Sequence, residues 1–557
     1  MRSGRSSRLR ATALPALACI LVLQACLWLG CNAFSDDFQE PVATHVGEDA
    51  VERFGVFERA LESRGSYANP YVDVAVDVSF ISPSGDSDVI EAFWDGGDVW
   101  RIRFSPDEVG LWQYTTTSTD PGLDGVKGIL HVGPSDRSGG LRVSAAASNH
   151  FERQNGDPVW FLGDTQWAAF GTKDAERLNF EAFQQYVDVR AAQGFNVIHA
   201  MLMIADPVFH GLPEAEEPFE QFSDQRLNPA YWQEVDRRIA YMNSKGLTVA
   251  LILAWGGNYG TDTSERMQWG SFPNSEARLR FARYAAARYS AFDTYFLISG
   301  EYDYSDGLTK ADFIRIGDDL ARYDPHDRLL GIHPGPAWVT EEFNELATWM
   351  SFGDYQQNYE NVHDVALAAR IRRATPIVNS EYGYYLRDQS EDGECDKQNS
   401  CTREEFRFAA YDILMAGAYI VTGFGSTYYG GIRDPGPFDV HAGRNDVAED
   451  DIGHMRTLFH SVTWWNLDPR PEEISGDGVT RLLADAGSEY VAYVRDNASG
   501  KLSVLLNDPS HALYVATRFD PRTGSFEEVD ALAGPDSITM PVPDGRDWVY
   551  ILRPAAS

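Results

Sequence analysis

The sequence predicts a multidomain chain: a central (β/α)8 (TIM) barrel flanked by N- and C-terminal antiparallel β-sandwiches. Three observations predict it. Residues 41–145 alternate apolar and polar positions, with turn signals at short intervals: Ser82-Pro83-Ser84-Gly85, Asp95-Gly96-Gly97, Ser105-Pro106-Asp107 and Asp120-Pro121-Gly122. That is the pattern of hairpin-linked strands with one face in a core. From Pro158 short apolar runs alternate with amphipathic helical patterns, the rhythm of parallel strands and crossover helices. After Trp465 and Asn466 short alternating strands return. At 557 residues the chain is too long for one core, and 43% hydrophobic with 13% aromatic residues is ample for several.

The first element, residues 1–31, is read as an export signal. Arg2, Arg5, Arg8 and Arg10 form its basic head, and an apolar stretch from Ala11 to Gly30 follows. Leu23-Gln24-Ala25-Cys26 has the look of a lipoprotein processing box, and Leu29-Gly30-Cys31 is a second candidate. The expected location is the cell envelope as a lipoprotein, or the periplasm or medium. A membrane partner is expected only through that lipid anchor. Outside the cytoplasm, Cys395 and Cys401 are close enough to form a small loop disulfide.

The second element, 41–145, is the first sandwich. The third, 150–467, is the barrel. Its expected strands are 159–163, 196–203, 248–255, 295–299, 329–332, 349–352, 377–380 and 421–425. Helical patterns cover 180–192, 229–244, 276–290, 310–323, 362–373 and 403–418. A doubly wound open sheet is the alternative, but no Gly-rich phosphate loop follows the first strand. The last element, 470–557, is the second sandwich, with strands at 491–494, 502–506 and 547–552.

Two glutamates carry the chemistry. Glu301 closes Tyr295-Phe296-Leu297-Ile298-Ser299-Gly300-Glu301, and Glu381 closes Pro376-Ile377-Val378-Asn379-Ser380-Glu381. A carboxylate at the C-terminal end of a barrel strand stands where such barrels build their active sites. A pair on strands four and seven suits glycosidic bond cleavage, in which one carboxyl protonates the leaving oxygen and the other attacks the sugar or activates water. Glu301 is the expected acid/base and Glu381 the expected nucleophile of a retaining reaction.

Further rim residues fit a sugar site, because aromatic faces cover sugar rings and amides, phenols and carboxylates bind hydroxyls. Asp164 and Trp167 follow strand one, His199 lies on strand two, and Trp255 and Asn258 follow strand three. Tyr302, with Asp303 and Tyr304, follows the first glutamate; Tyr382, Tyr384 and Tyr385 follow the second. His333 ends strand five, Asp354 and Gln356 follow strand six, and Tyr428 follows strand eight. Each has a structural alternative: a helix N-cap for Asp164, a hydrogen-bonded core histidine for His199, simple packing for the tyrosines.

Zinc-protease, nucleophile-elbow, P-loop and dinucleotide fingerprints are missing, so no cofactor and no catalytic metal is expected. A net charge of −36 excludes nucleic acid as a partner and disfavours anionic polymers. An oligo- or polysaccharide is the expected partner. The competing readings are a non-catalytic carbohydrate-binding or matrix-binding surface lipoprotein.

Family resemblances point the same way. Residues 45–135, with Phe93-Trp94-Asp95-Gly96, Trp100-Arg101-Ile102-Arg103-Phe104 and Gly110-Leu111-Trp112-Gln113-Tyr114, resemble the sandwich called DUF5060. Residues 150–465 resemble the DUF4038 barrel of apiosidase-like glycoside hydrolases (glycoside hydrolase family 140). Leu162-Gly163-Asp164-Thr165-Gln166-Trp167, Gly194-Phe195-Asn196-Val197-Ile198 and Asn379-Ser380-Glu381-Tyr382-Gly383 carry that likeness. The resemblance implies hydrolysis of a glycosidic bond in a plant or algal polysaccharide. It also implies an aspartate as the strand-four acid, where this chain has Glu301. The extra methylene moves the carboxyl by roughly 1.5 Å, which separates apiose specificity from the general acid/base chemistry. Residues 470–555 resemble a sandwich module named for collagen binding, with Asp520-Pro521-Arg522-Thr523-Gly524 its clearest piece; no collagen binding is read from the name.

Overall fold

The computed structural model describes residues 49–555, apart from 174–177, 204–208, 211–216, 257–267, 306, 336–337, 344–345, 357–360, 384–401, 424–448, 508–512 and 534–535. Cys26, Cys31, Asn258, Tyr384, Tyr385, Cys395, Cys401 and Tyr428 lie outside the described residues.

The N-terminal module is two packed sheets. The five-stranded one runs Ala50–Glu52, Lys127–Gly133, Gly110–Ser118, Val76–Ile81, Ser87–Glu91 in spatial order; the three-stranded one is Phe57–Glu62, Val99–Phe104, Phe93–Gly96. Alternate residues turn inward, so Phe57, Phe80, Trp100, Ile102, Phe104, Trp112 and Tyr114 share one core. Phe80 stacks on Phe104 with ring centres 4.0 Å apart. All pairings are antiparallel except that of Ala50–Glu52 with Lys127–Gly133.

A small antiparallel sheet follows, Leu141–Val143, Phe151–Arg153 and Pro158–Val159. It straddles the expected module boundary. Phe151 packs against Phe161, Phe352 and Tyr419 at the strand N-termini of the barrel, so this sheet plugs the end away from the glutamates.

The barrel strands are β1 (Leu162–Thr165), β2 (Val197–Met201), β3 (Thr248–Ile252), β4 (Thr294–Leu297), β5 (Leu330–Gly331), β6 (Gly353–Gln356), β7 (Ile377–Asn379) and β8 (Tyr419–Thr422). Parallel pairing runs from β1 through β5, from β6 through β8, and closes from β8 to β1. At the β5–β6 seam the Ser351 amide donates to the Leu330 carbonyl at 2.9 Å. β1 to β4 and β6 to β8 are buried along their whole length, as strands covered on both faces must be.

The crossover helices are α1 (Phe180–Gln193), α2 (Pro229–Ser244), α3 (Ser275–Tyr289), α4 (Lys310–Tyr323), α5 (Val362–Arg372), α6 (Arg403–Leu414) and α7 (Glu449–His460). Their starts are set by caps legible in the sequence. Asn179 and Asn274 accept backbone N–H bonds at α1 and α3, and Thr309-to-Asp312 and Thr402-to-Glu405 form capping boxes at α4 and α6. Between β5 and β6 the described crossover is a 3-10 turn, Thr340–Phe343, with a short strand, Trp338–Val339, antiparallel to β6.

Two strand expectations are corrected. The first barrel strand starts at Leu162, because Pro158–Val159 pairs in the plug sheet. The sixth is Gly353–Gln356, not the apolar run 349–352. Trp349 packs on Gly317 of α4 and Phe352 on the plug, so that run is apolar for contacts outside the strand. The strand itself reads as polar because it carries Asp354 and Gln356.

The C-terminal module pairs a six-stranded sheet, with Glu489–Arg495 and Trp548–Pro554 at its centre, and a four-stranded sheet containing Lys501–Leu505. Tyr490, Ala492, Val494, Leu502, Val504, Met540, Tyr550 and Leu552 fill its core. No described helix is long and apolar enough to cross a membrane.

Candidate active site

Beyond β4 the backbone leaves strand geometry while still tied to β3. Gly300 bridges Trp255, and the Gly256 amide donates to the Gly300 carbonyl at 2.7 Å. A Cβ on Gly300 would lie 2.2 Å from the Trp255 ring, so glycine is what lets the indole lie across this strand end. Glu301 then turns left-handed, at φ 40° and ψ 54°. A non-glycine residue adopts that conformation at a cost of about 1–3 kcal/mol when its surroundings hold it there. The holding contacts are the 3-10 turn Tyr302–Tyr304, closed by the Tyr304 amide on the Glu301 carbonyl at 3.1 Å, and the indole N–H of Trp255, which donates to Glu301 Oε2 at 3.3 Å.

Glu381 follows β7, with its amide donating to Asn379 Oδ1 at 3.3 Å. His333 follows β5 and stands between the strand ends. Its Nε2 is 3.5 Å from Glu381 Oε2, and its Nδ1 is 2.8 Å from Ser380 Oγ and 3.9 Å from Asp354 Oδ2. One side-chain atom each of Glu301, His333 and Glu381 lie within 4.8 Å of one another. This is the one carboxylate and imidazole cluster among the described residues close enough to share a cation; the smallest cation, a proton, is the one acid/base chemistry needs.

Burial sets the electrostatics. Glu301 is 6% exposed. Burial first, then the like charge of Glu381, pushes its carboxyl from 4.5 up to about 8, against the opposing pull of His333 and the Trp255 bond. Burial also pushes Asp354 up to about 7, opposed by His333 and by hydrogen bonding from Ser380. His333 is raised: burial works against its charged form, and the Glu381 hydrogen bond together with the charges of Asp354, Glu381 and Glu301 outweighs it.

Trp167 and Trp255 meet edge to face at 5.6 Å, and both rings approach His333, at 5.7 and 5.9 Å. The two tryptophans wall the cluster; they are 5% and 8% exposed, so only ring edges face the opening. Gln356 is buried, and its Oε1 has no hydrogen-bond partner among the described residues. That leaves an acceptor for a sugar hydroxyl.

Five expected sugar contacts are placed elsewhere. Asp164 is fully buried between β1 and α1. Its Oδ2 takes Arg190 Nε at 2.5 Å and the Tyr186 hydroxyl at 3.0 Å, and its Oδ1 takes the Thr422 hydroxyl at 3.0 Å. Its acceptors are committed to the scaffold because strand alternation points it outward. His199 is fully buried inside the barrel, with Nε2 2.8 Å from the Tyr295 hydroxyl, and burial lowers its pKa to about 3. Tyr302, in the 3-10 turn after Glu301, packs on Phe313 and Phe343, and Tyr382 packs on Phe406 of α6. Asp354 lies behind His333 at 2% exposure. The neighbouring ring that does reach the surface is Tyr304, 46% exposed.

Two polar residues stand out in the structure more than in the sequence. His333 reads in the sequence as one rim residue among many, its signal being a histidine directly after the apolar run 329–332. Gln166, beside Trp167, is fully buried with both amide atoms lacking partners among the described residues.

Comparison with known families fits this geometry. Residues 145–466 match the profile described as "Apiosidase-like, catalytic domain", more than half of the chain. The chain belongs to the apiosidase-like family. Residues 50–119 match DUF5060, a domain of unknown function. Comparison with curated proteins finds no significant match. Among solved structures, a candidate glycoside hydrolase from Bacteroides vulgatus superposes with a TM-score of 0.75 at 18% identity, covering 91% of this chain and 100% of the other. A glycoside hydrolase family 5 structure from the same organism gives 0.62 at 18% identity, covering 75% and 94%. Identities this low speak to the fold. Family membership makes the apiosidase-like barrel a glycoside hydrolase domain, and its substrate is a carbohydrate.

Proposed function

We propose that this apiosidase-like enzyme cleaves a plant or algal polysaccharide with retention of configuration, using Glu301 as acid/base and Glu381 as nucleophile. The observation that carries the reading is the separation of the two carboxylates. An oxygen of each lies within 4.8 Å of the other, which suits direct attack on the sugar, whereas the inverting geometry leaves about 6.5–9.5 Å for a water.

The protonation states support the roles. With a pKa pushed up to about 8, Glu301 is protonated at neutral pH. Trp255 occupies Oε2, so the proton sits on Oε1, free for the glycosidic oxygen. Glu381 attacks the anomeric carbon as Glu301 gives its proton to the leaving group. Once Glu381 is an ester its negative charge is gone, and the charge repulsion that raised Glu301 goes with it. Glu301 then accepts a proton from water, and the resulting hydroxide equivalent releases the sugar. After burial, the largest influences on Glu301 from the described residues are Glu381, His333, Trp255 and Asp303. A net charge of −36 favours a neutral glycan over a uronate-rich one.

The test is hydrolysis of a plant and algal glycan panel by wild type, Glu301→Ala and Glu381→Ala, with the product anomer read by NMR. Wild-type release of one anomer with retention, and folded variants that are nearly inactive, support the reading. Inverted product overturns the nucleophile assignment. Binding without hydrolysis moves the non-catalytic lipoprotein reading forward.

A further inference from the structure

We infer that His333 is the residue that separates the two glutamates by charge: as an imidazolium anchored by Ser380 and Asp354, it holds Glu381 ionised and aimed, and leaves the proton of the pair on Glu301. This rests on the carboxylate roles proposed above and adds a positioning residue to them.

The ring is fixed before any charge is considered. The His333 amide donates to the Ser299 carbonyl at 2.9 Å, and the side chain is fully buried between the Trp167 and Trp255 rings. Ser380 Oγ lies 3.4 Å from the Tyr355 carbonyl and beside the Asp354 carboxyl, two acceptors for its one hydrogen. With that hydrogen given to either acceptor, Ser380 Oγ receives the Nδ1–H of His333 at 2.8 Å. With Nδ1 protonated, a neutral ring would present a bare Nε2 lone pair to Glu381 Oε2 at 3.5 Å, inside a buried site. Two acceptors facing each other there repel, and Nε2 has no other hydrogen-bond partner. A second proton on the ring turns that contact into a donated bond and places the cation between Glu381 and Asp354.

Among the described residues, the carboxyls facing the ring all favour its charged form. Glu301 comes from β4, Asp354 from β6 and Glu381 from β7, all carboxyls; His199 from β2 is the one group that opposes. His199 serves as an internal control. It is equally buried in the same barrel but has a tyrosine where His333 has carboxylates, and its pKa falls to about 3 while that of His333 rises. The carboxylates, not the barrel interior, make the difference.

Histidine-selective nitrogen NMR on the full-length protein tests this without any substrate, the His333 signal being assigned by its loss in His333→Gln. The expected result is a doubly protonated His333 ring at pH 7, with its titration midpoint lowered by about one unit or more in Glu381→Gln and in Asp354→Asn. A neutral His333 at pH 7, or midpoints unmoved by both variants, overturns the inference. On the glycan that the panel identifies, His333→Gln should lower kcat about 100-fold with little change in KM, and move the acid limb of the pH profile upward by about one unit. An unshifted acid limb would make His333 a packing residue only. If no glycan is cut, the reaction proposal fails while NMR still decides the charge of His333. If hydrolysis is retaining and His333 is neutral, this inference fails alone.

Discussion

Glu301 combines a left-handed backbone, a buried carboxyl and a like-charged neighbour, three features that oppose folding and serve proton transfer. The sign of its pH effect follows. A carboxyl raised from 4.5 to about 8 holds a proton in the folded state that the unfolded chain releases. Its stabilising contribution is therefore full below about pH 4.5 and lost as pH rises to about 8. Glu301→Gln should be more stable than wild type at pH 9, on the order of a few kcal/mol, with the difference shrinking by pH 5; denaturant unfolding at the two pH values checks this. The same variant should lose about 10²–10⁴-fold in kcat on substrates with poor leaving groups. In the wild type, kcat/KM should fall as pH rises through about 8, when the acid loses its proton; a profile flat to pH 10 would remove Glu301 from that role. Gly300→Ala should displace the Trp255 ring and its bond to Glu301, lowering kcat about 10- to 100-fold while the fold persists, with tryptophan fluorescence reporting the movement.

At the scale of elements, β1 and β6 show how a strand's two faces divide labour. Asp164 turns outward from β1 to meet Arg190 and Tyr186 of α1, and the pair is fully buried. Arg190→Ala would leave that carboxylate uncompensated, so it should destabilise the protein by about 3–5 kcal/mol in denaturant unfolding. Specific activity per folded molecule should change little. A large selective loss of sugar affinity would restore Asp164 to the binding site. On β6, Asp354 stands behind His333, and Gln356 Oε1 has no hydrogen-bond partner among the described residues. These polar residues interrupt the apolar signature that marks the other strands.

At the scale of the molecule, both terminal modules are joined to the barrel through buried ion pairs. Arg103 of the first sandwich and Arg288 of α3 share Asp236 of α2, and Arg288 also reaches Asp95. Arg407 of α6 binds Asp451 of α7 and Asp547 of the last sandwich, beside the stacked Tyr411 and Tyr493 rings. The modules thus brace helices whose strands carry the site. Asp236→Ala leaves Arg288 with Asp95 and Arg103 with Glu58 but removes the carboxylate they share, and should destabilise the protein by about 1–3 kcal/mol and speed proteolysis in the segment 134–140 that links the first sandwich to the plug sheet. A cleavage rate equal to wild type would show the modules to be energetically independent.

The sequence by itself determined the three-module order, seven of the eight barrel strands to within a few residues, the starts of six of the seven helices α1–α7, and the position of two glutamates at the ends of apolar runs. These signals are local: alternation, caps, turn residues, and a charged residue at the end of an apolar run. Only the tertiary structure decided which rim residues face the cleft. Consecutive residues on a strand point to opposite sides, and a string does not say which side is inside, so Asp164 reads as a sugar contact until packing places it beside Arg190; Tyr302 and Tyr382 lie past their strands, where only the packing of the turn decides. The grouping of His333, Asp354, Ser380 and Glu381 was equally out of reach, because it joins three strands brought together by barrel closure. Their shared electrostatics exist only where those strand ends converge in a buried, low-dielectric place.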